Sequence, residues 1–242
     1  EALGADLFFT LSRHARQELL DEGVPAEKIF PYRYFVDIET FRPGGEPREG
    51  ELLSMGRFHS QKNLPLLFDA FEDVWREHPG ARLRIIGRGP EEETVRQRHR
   101  ESPAKDAITI ETWTDDPVAA YQRAWATVMP SDAEGLSNVS VESLACGTPL
   151  IITDVSGARE ALDPEERIPV ELPGGKYYEG EGGLLVPRGD REALAAAMKL
   201  VLTDRAKRFE LAQEARRRAE AAFSEQACVG EFLERVESHD RP

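Results

Sequence analysis

Two carboxylates, Glu134 and Glu142, flank the start of a helical pattern in the run EGLSNVSVE. Ahead of them the apolar residues 125–129 read as a buried strand that ends at Pro130-Ser131-Asp132. Behind them Val141, Leu144 and Ala145 recur at helical spacing, and Gly147-Thr148-Pro149 stops the helix. Glu134 therefore belongs to a loop at the carboxyl end of a strand, and Glu142 to the helix that follows, about one turn in. Between them the amides of Ser137, Asn138 and Val139 face outward at a positive helix end, which favours phosphate. Carboxylates on either side of an anion site suit a ligand with an anionic middle and hydroxyls at both ends, such as a nucleotide sugar. A second group lies in Met55-Gly56-Arg57-Phe58-His59-Ser60-Gln61-Lys62-Asn63. Gly56 permits a tight turn at a strand end. Arg57 supplies a planar fork for phosphate oxygens and Lys62 a compact point charge. His59 stands between them with no recognisable partner and reads as incidental.

Around these groups, short apolar runs alternate with amphipathic segments, the mark of βαβ units and a parallel sheet. Strands are expected at 5–11, 51–55, 83–86, 108–110, 124–129, 150–152 and 183–186, with another extended piece at 28–30. A helix is expected at 13–22, closed by Gly23, and another at 91–100. A helical tail runs from roughly Arg191 to Val236. Leu64, Leu67, Phe68, Phe71, Val74 and Trp75 form one apolar stripe, read as core rather than as an aromatic binding face. FRPGGEPREGE, residues 41–51, reads as a linker. Gly87-Arg88-Gly89-Pro90 lacks the third glycine of a dinucleotide fingerprint and follows the wrong strand for one.

At 40% hydrophobic residues an ordinary core is within reach, and no apolar run is long enough to span a bilayer. The opening EALGADLFFTLS has no basic stretch ahead of its apolar part and does not read as a signal peptide. Cys146 and Cys228 are the only cysteines, so a disulfide framework is excluded and a reducing, cytoplasmic setting is expected. A formal charge of −14 argues against nucleic acid and against docking of this part on anionic lipid. Any anion site must create local positive potential inside an acidic body. The acid-rich, lysine-poor composition fits either salt adaptation or the coding bias of a GC-rich genome.

The segment PSDAEGLSNVSVESLACGTPLIITDVSGARE resembles the donor-binding signature of the retaining GT-B glycosyltransferases of family 4, also called group 1. The matching elements are Pro130-Ser131, Glu134-Gly135, the pair Glu134 and Glu142, Ala145-Cys146-Gly147-Thr148-Pro149, and Gly157-Ala158-Arg159-Glu160. The resemblance implies an α/β fold: a three-layer Rossmann-like domain with a parallel sheet, the C-terminal half of a GT-B enzyme. It divides the chain into 1–44, the end of an N-terminal acceptor domain and its linker, and 45–242, the nucleotide-sugar-binding domain with C-terminal helices. Tyr34-Phe35-Val36-Asp37 stands where the family pattern has Asn-Gly-Val-Asp. The acceptor domain that normally precedes is missing as a partner, so the chain is expected to be part of a larger enzyme.

The same resemblance assigns Arg57 and Lys62 to the donor diphosphate, Glu142 to the ribose hydroxyls and Glu134 to the donor sugar. There Glu134 would hold a hydroxyl or steady positive charge at the anomeric carbon, without acting as a nucleophile. Gly56 belongs to the same donor loop, and Gly87 and Gly89 border the nucleotide, as backbone contacts or as a simple turn. Trp113 lies in the loop that holds the base and either packs beside it or serves the core or rim. Gly135, Leu136, Ser137, Asn138 and Val139 complete the donor set, with Leu136-Ser137-Asn138 in place of the commoner Phe-Gly. Ser137 and Asn138 are thereby candidates for reading sugar hydroxyls. No cofactor is implied: charge on the leaving group is met by cations and helix-end amides, with no metal ligands and no Asp-x-Asp pair. Residues 162–182 exceed the short link expected there and read as an exposed excursion or hairpin carrying Tyr177 and Tyr178. The function implied is hexosyl transfer from a nucleotide sugar to an acceptor hydroxyl. Other readings are a GT-B epimerase or phosphorylase, and a non-catalytic nucleotide-sugar-binding module.

Overall fold

Consecutive strand residues of the main sheet send apolar side chains to opposite faces, so both faces must be covered by helices. Leu52, Ile85, Val128, Ile151 and Leu184 belong to one buried cluster. Their neighbours Leu53 and Ile86, and Met129, Ile152 and Leu185, belong to clusters on the other side. A computed structural model describes residues 7–44, 50–162 and 177–239 of the chain. In chain order its elements are β1 (Phe8–Thr10), α1 (Arg13–Asp21), β2 (Ile29–Pro31), β3 (Glu51–Met55), α2 (Leu64–Glu77), β4 (Arg82–Ile86) and α3 (Glu92–Glu101). Then follow β5 (Ile108–Glu111), α4 (Pro117–Arg123), β6 (Ala126–Met129), α5 (Asn138–Ala145), β7 (Leu150–Thr153), α6 (Ser156–Leu162), β8 (Tyr178–Gly180) and β9 (Gly183–Val186). Three helices end the chain: α7 (Arg191–Thr203), α8 (Arg205–Phe223) and α9 (Glu225–His239).

The main sheet has the order β5-β4-β3-β6-β7-β9-β8. Every pairing is parallel except that of β8 with β9. Helices α2, α3 and α7 cover one face, and α4, α5, α6 and α8 the other. This is the expected three-layer Rossmann-like α/β arrangement with a parallel sheet. The stripe on α2 is core: Leu67, Phe68, Phe71 and Val74 are fully buried.

Several boundaries differ from the expectation. Ala124 caps α4 and Trp125 donates to the Glu51 carbonyl at 2.8 Å, so β6 starts only at Ala126. The first strand shortens to Phe8–Thr10 and pairs with β2 in a separate two-stranded sheet. The helical tail is three helices, broken where the side chain of Asp204 caps α8 and where Ser224 begins α9. The 162–182 excursion resolves at its end into a hairpin: β8 runs antiparallel along the sheet edge, while residues 163–176 lie outside the described residues. The linker reading is only partly described, since 45–49 are likewise outside. Residues 36–41 pack on the main domain, with the Val36 amide donating to the Phe223 carbonyl at 2.8 Å and the Arg216 guanidinium held by the carbonyls of Ile38 and Phe41.

Candidate donor site at the switch point

The strand order reverses between β3 and β6: chain progression runs outward from β3 through β4 to β5 on one side, and from β6 through β7 to β9 on the other. In open α/β sheets ligands bind at the carboxyl ends of strands where this reversal opens a crevice. The two loops at that point are 56–63, after β3, and 130–137, after β6. They are sewn together. Gln61 Nε2 donates to the Ala133 carbonyl at 2.7 Å, and the Asp132 amide donates to the Gln61 carbonyl at 2.8 Å. Asn63 Nδ2 and Arg188 Nε both donate to Asp132 Oδ1 at 3.2 Å. At the centre the Lys62 ammonium and the Glu134 carboxylate form a direct ion pair. Arg57 lies exposed beside them and has no ion-pair partner among the described residues. His59 acts locally, its Nδ1 accepting the Gln61 amide at 3.3 Å and starting the short turn that carries Lys62.

Helix α5 begins as expected, but its first turn is organised differently from the sequence reading. Ser137 is the N-cap, and its hydroxyl accepts the Ser140 amide at 3.2 Å. Its side chain therefore serves the helix first, and the orphan amides of the opening turn are those of Asn138 and Val139. Leu136 is only 3% exposed and its side chain belongs to the core with Val141 and Leu144, so only its backbone faces outward. Val139 is also partly packed against the core. Gly135 has open space around its α-carbon, so no crowding demands a glycine there.

Glu142 lies deeper than a surface helix residue. Buried Tyr121, on α4, donates its hydroxyl to Glu142 Oε2 at 2.8 Å. Desolvation raises the Glu142 pKa above its usual 4.5, and the Tyr121 hydrogen bond opposes part of that rise. Burial, reinforced by the Glu142 charge, pushes the Cys146 thiol up to about 12. That thiol is inert.

Gly87 and Gly89 are required by packing, whatever else they border. A β-carbon on Gly87 would meet the Gly56 carbonyl oxygen at 1.9 Å, and one on Gly89 the Phe58 carbonyl oxygen at 2.3 Å. The loop after β4 is thus pressed onto the loop after β3. The Phe58 amide donates to the Arg88 carbonyl at 2.9 Å and the Gly56 amide to the Ile86 carbonyl at 3.0 Å. Both glycines still line a cavity of about 780 Å³, together with Gly56, Arg57, Glu92 and Trp113. Trp113 is at the rim, 67% exposed, which excludes the core reading. Its Nε1 donates to Asp115 at 3.1 Å, and the Arg88 guanidinium lies 5.7 Å from its ring centroid.

The structure therefore joins Gly56, Arg57, Lys62 and Glu134 with the start of α5 at one crevice, and sets Trp113 on the adjoining cavity. Sequence reading missed Tyr121 and Arg188, and it named Asp132 and Gly157 only as motif residues without a contact. Asn63 carried a local signal, as a cap before Leu64-Pro65. Gly157 receives Glu134: its amide and the Ser156 hydroxyl both donate to the Glu134 carbonyl at 2.9 Å.

A doubly wound sheet with cations and carboxylates at its switch point is an α/β domain with a candidate ligand crevice, and comparison with known proteins narrows the class. Residues 37–218 match the family model of glycosyl transferases group 1, and the chain belongs to that family. It is 28% identical over 220 residues to a sulfoquinovosyl transferase of Arabidopsis thaliana, covering 90% of this chain and 40% of that protein. It is 30% identical over 233 residues to a D-inositol 3-phosphate glycosyltransferase of Kineococcus radiotolerans, covering 85% of this chain and 51% of the relative. The chain thus spans about half the length of such curated relatives. Among solved structures, Anabaena HepE in complex with UDP superposes with a TM-score of 0.82 at 17% identity, over 97% of this chain and 64% of that one. Sucrose-phosphate synthase from Thermosynechococcus elongatus gives 0.78 at 24% identity, over 98% of this chain and 59% of that one. The fold is that of the GT-B glycosyltransferases.

Proposed function

We propose that this chain is the donor-binding half of a retaining family 4 glycosyltransferase, which moves a hexosyl-type sugar from a nucleoside-diphosphate sugar to an acceptor hydroxyl. The observation that carries this reading is the convergence of Arg57, Lys62, Glu134 and the α5 amides at the switch-point crevice, one turn from Glu142. The base lies in the cavity at Trp113, and Glu142 accepts from the ribose hydroxyls. The diphosphate meets Arg57, Lys62 and the amides of Asn138 and Val139, and Glu134 accepts from a sugar hydroxyl. As the glycosidic bond breaks, negative charge grows on the diphosphate, and these fixed donors stabilise it more than they stabilise the ground state. The acceptor is supplied by a preceding domain, in keeping with relatives about twice as long. We place the enzyme in the cytoplasm, which suits its two buried cysteines. No helix among the described residues is long and apolar enough to cross a membrane.

A thermal-shift panel of UDP, GDP, ADP and their sugars tests the reading, with stabilisation expected from one base family. In Glu142→Ala, loss of one or two charge-assisted hydrogen bonds should weaken the best nucleoside diphosphate on the order of 10- to 100-fold by calorimetry. Unchanged affinity in a folded variant removes the ribose assignment. Metal-independent binding is the expectation, so a chelator should leave affinity as it was. An absolute magnesium requirement would count against charge neutralisation by protein groups.

A further inference from the structure

We propose that the Lys62–Glu134 ion pair is a discriminator that makes the site prefer an intact nucleotide sugar over the nucleoside diphosphate left after transfer. The inference rests on the donor assignment above. It starts from the fact that residues assigned to different parts of the donor hold each other. Their side chains are only 21% and 12% exposed, so neither charge is well hydrated. Neither end is free to follow its partner. Lys62 sits between Gln61 and Asn63, both bonded to the opposite loop, and the Glu134 backbone is held by Ser156 and Gly157.

A diphosphate that draws the Lys62 ammonium toward itself must loosen this pair. Glu134 is then a poorly hydrated carboxylate with a dianionic neighbour, a costly arrangement. A nucleotide sugar brings hydroxyls that donate to Glu134 and restore what the pair lost. A nucleoside diphosphate has only its ribose hydroxyls, which are engaged at Glu142, and brings none to Glu134. Arg57, exposed and without an ion-pair partner among the described residues, serves both ligands alike. The pair therefore subtracts affinity selectively from the product, which favours its release.

Calorimetry with UDP and UDP-glucose, and with GDP and GDP-mannose, on the 242-residue chain tests this. In Glu134→Gln the diphosphate should bind roughly 10-fold tighter than in the native protein, the scale of one charged hydrogen bond. The sugar nucleotide should not gain, so the preference for it shrinks. Simple repulsion between Glu134 and phosphate also predicts some tightening, and Lys62→Gln separates the two causes. With the pair already gone, adding Glu134→Gln should change diphosphate affinity much less than it does in the native background. An equal gain in both backgrounds means repulsion alone and overturns the proposal, as does equal weakening of both ligands in folded Glu134→Gln. If the native chain binds none of UDP, GDP, ADP and their sugars, the donor assignment itself falls. Binding with the wrong Glu134→Gln pattern removes only the discriminator.

Discussion

Glu142 shows how a single carboxylate becomes useful through what surrounds it. In the proposed ribose contact it must be ionised to accept from two hydroxyls, yet desolvation raises its pKa and only the Tyr121 hydroxyl opposes the rise. The folded carboxyl holds its proton more tightly than the unfolded chain does. Stability linked to this group is therefore greatest at low pH and is lost as pH rises through the folded pKa. Ligand binding runs the other way. Nucleotide affinity should fall as pH drops from neutral toward the raised pKa of this group. Tyr121→Phe keeps the ring but removes the donor, so the affinity loss should begin at a higher pH than in the native chain. Calorimetric titrations of both proteins across that range check this, and coincident profiles would show that Tyr121 does not tune the carboxylate.

The loops at the switch point depend on close backbone contact. A β-carbon on Gly157 would lie 2.0 Å from the Gly135 carbonyl carbon, backbone against backbone. Gly157→Ala should therefore push the 134–136 loop outward and cost about 1–3 kcal/mol. A lower melting temperature together with weaker nucleotide-sugar binding is expected; retained binding at native stability would mean that the loop relaxes freely. Asn63 offers a contrasting case, since it sits at φ +45° and its side chain accepts the Leu66 amide at 3.3 Å as the cap of α2. Asn63→Gly keeps the left-handed backbone accessible and should cost a few tenths of a kcal/mol through the lost cap. Asn63→Ala loses the cap and adds left-handed strain of about 1–2 kcal/mol. Denaturant midpoints should rank native, Gly, then Ala.

On the scale of the whole molecule, a chain of net charge −14 gathers Arg57, Lys62 and a helix start at one crevice. Anionic donors are thus attracted locally and repelled elsewhere. The loops proposed to hold the phosphates, 56–63 and 130–137, both lie within the described residues, so nucleotide binding by this chain alone is expected. Sugar transfer needs the acceptor held against the anomeric carbon with water excluded, an advantage of roughly 7–11 kcal/mol for well-oriented reactants. If a preceding domain supplies that contact, the 242-residue chain should bind donor but transfer no sugar at a useful rate, with slow donor hydrolysis at most. Incubation with its best nucleotide sugar and a panel of acceptors decides this. Robust glycosylation would place the acceptor site in this chain.

What the sequence determined by itself is whatever local periodicity and local chemistry encode. The α2 stripe, the apolar strand cores at 51–55 and 183–186, and the helix opening near Asn138 are set by residues within one or two turns of each other. Those features were legible for that reason. So was the donor signature, because its parts lie within a single strand-loop-helix passage. The tertiary structure decided everything that depends on which loops meet. Lys62 and Glu134 are 72 positions apart, and Tyr121 and Glu142 are 21 apart. Nothing in either neighbourhood announces its partner. That Gly87 must be a glycine shows only when the Gly56 carbonyl is found against it, and that the Leu136 side chain belongs to the core only when the helix has packed. The physical reason is the strand order. Periodicity says which face of an element is buried, but only hydrogen-bonded pairing of β3 with β6 brings their loops to one crevice, and that pairing is a long-range choice made by the packed sheet.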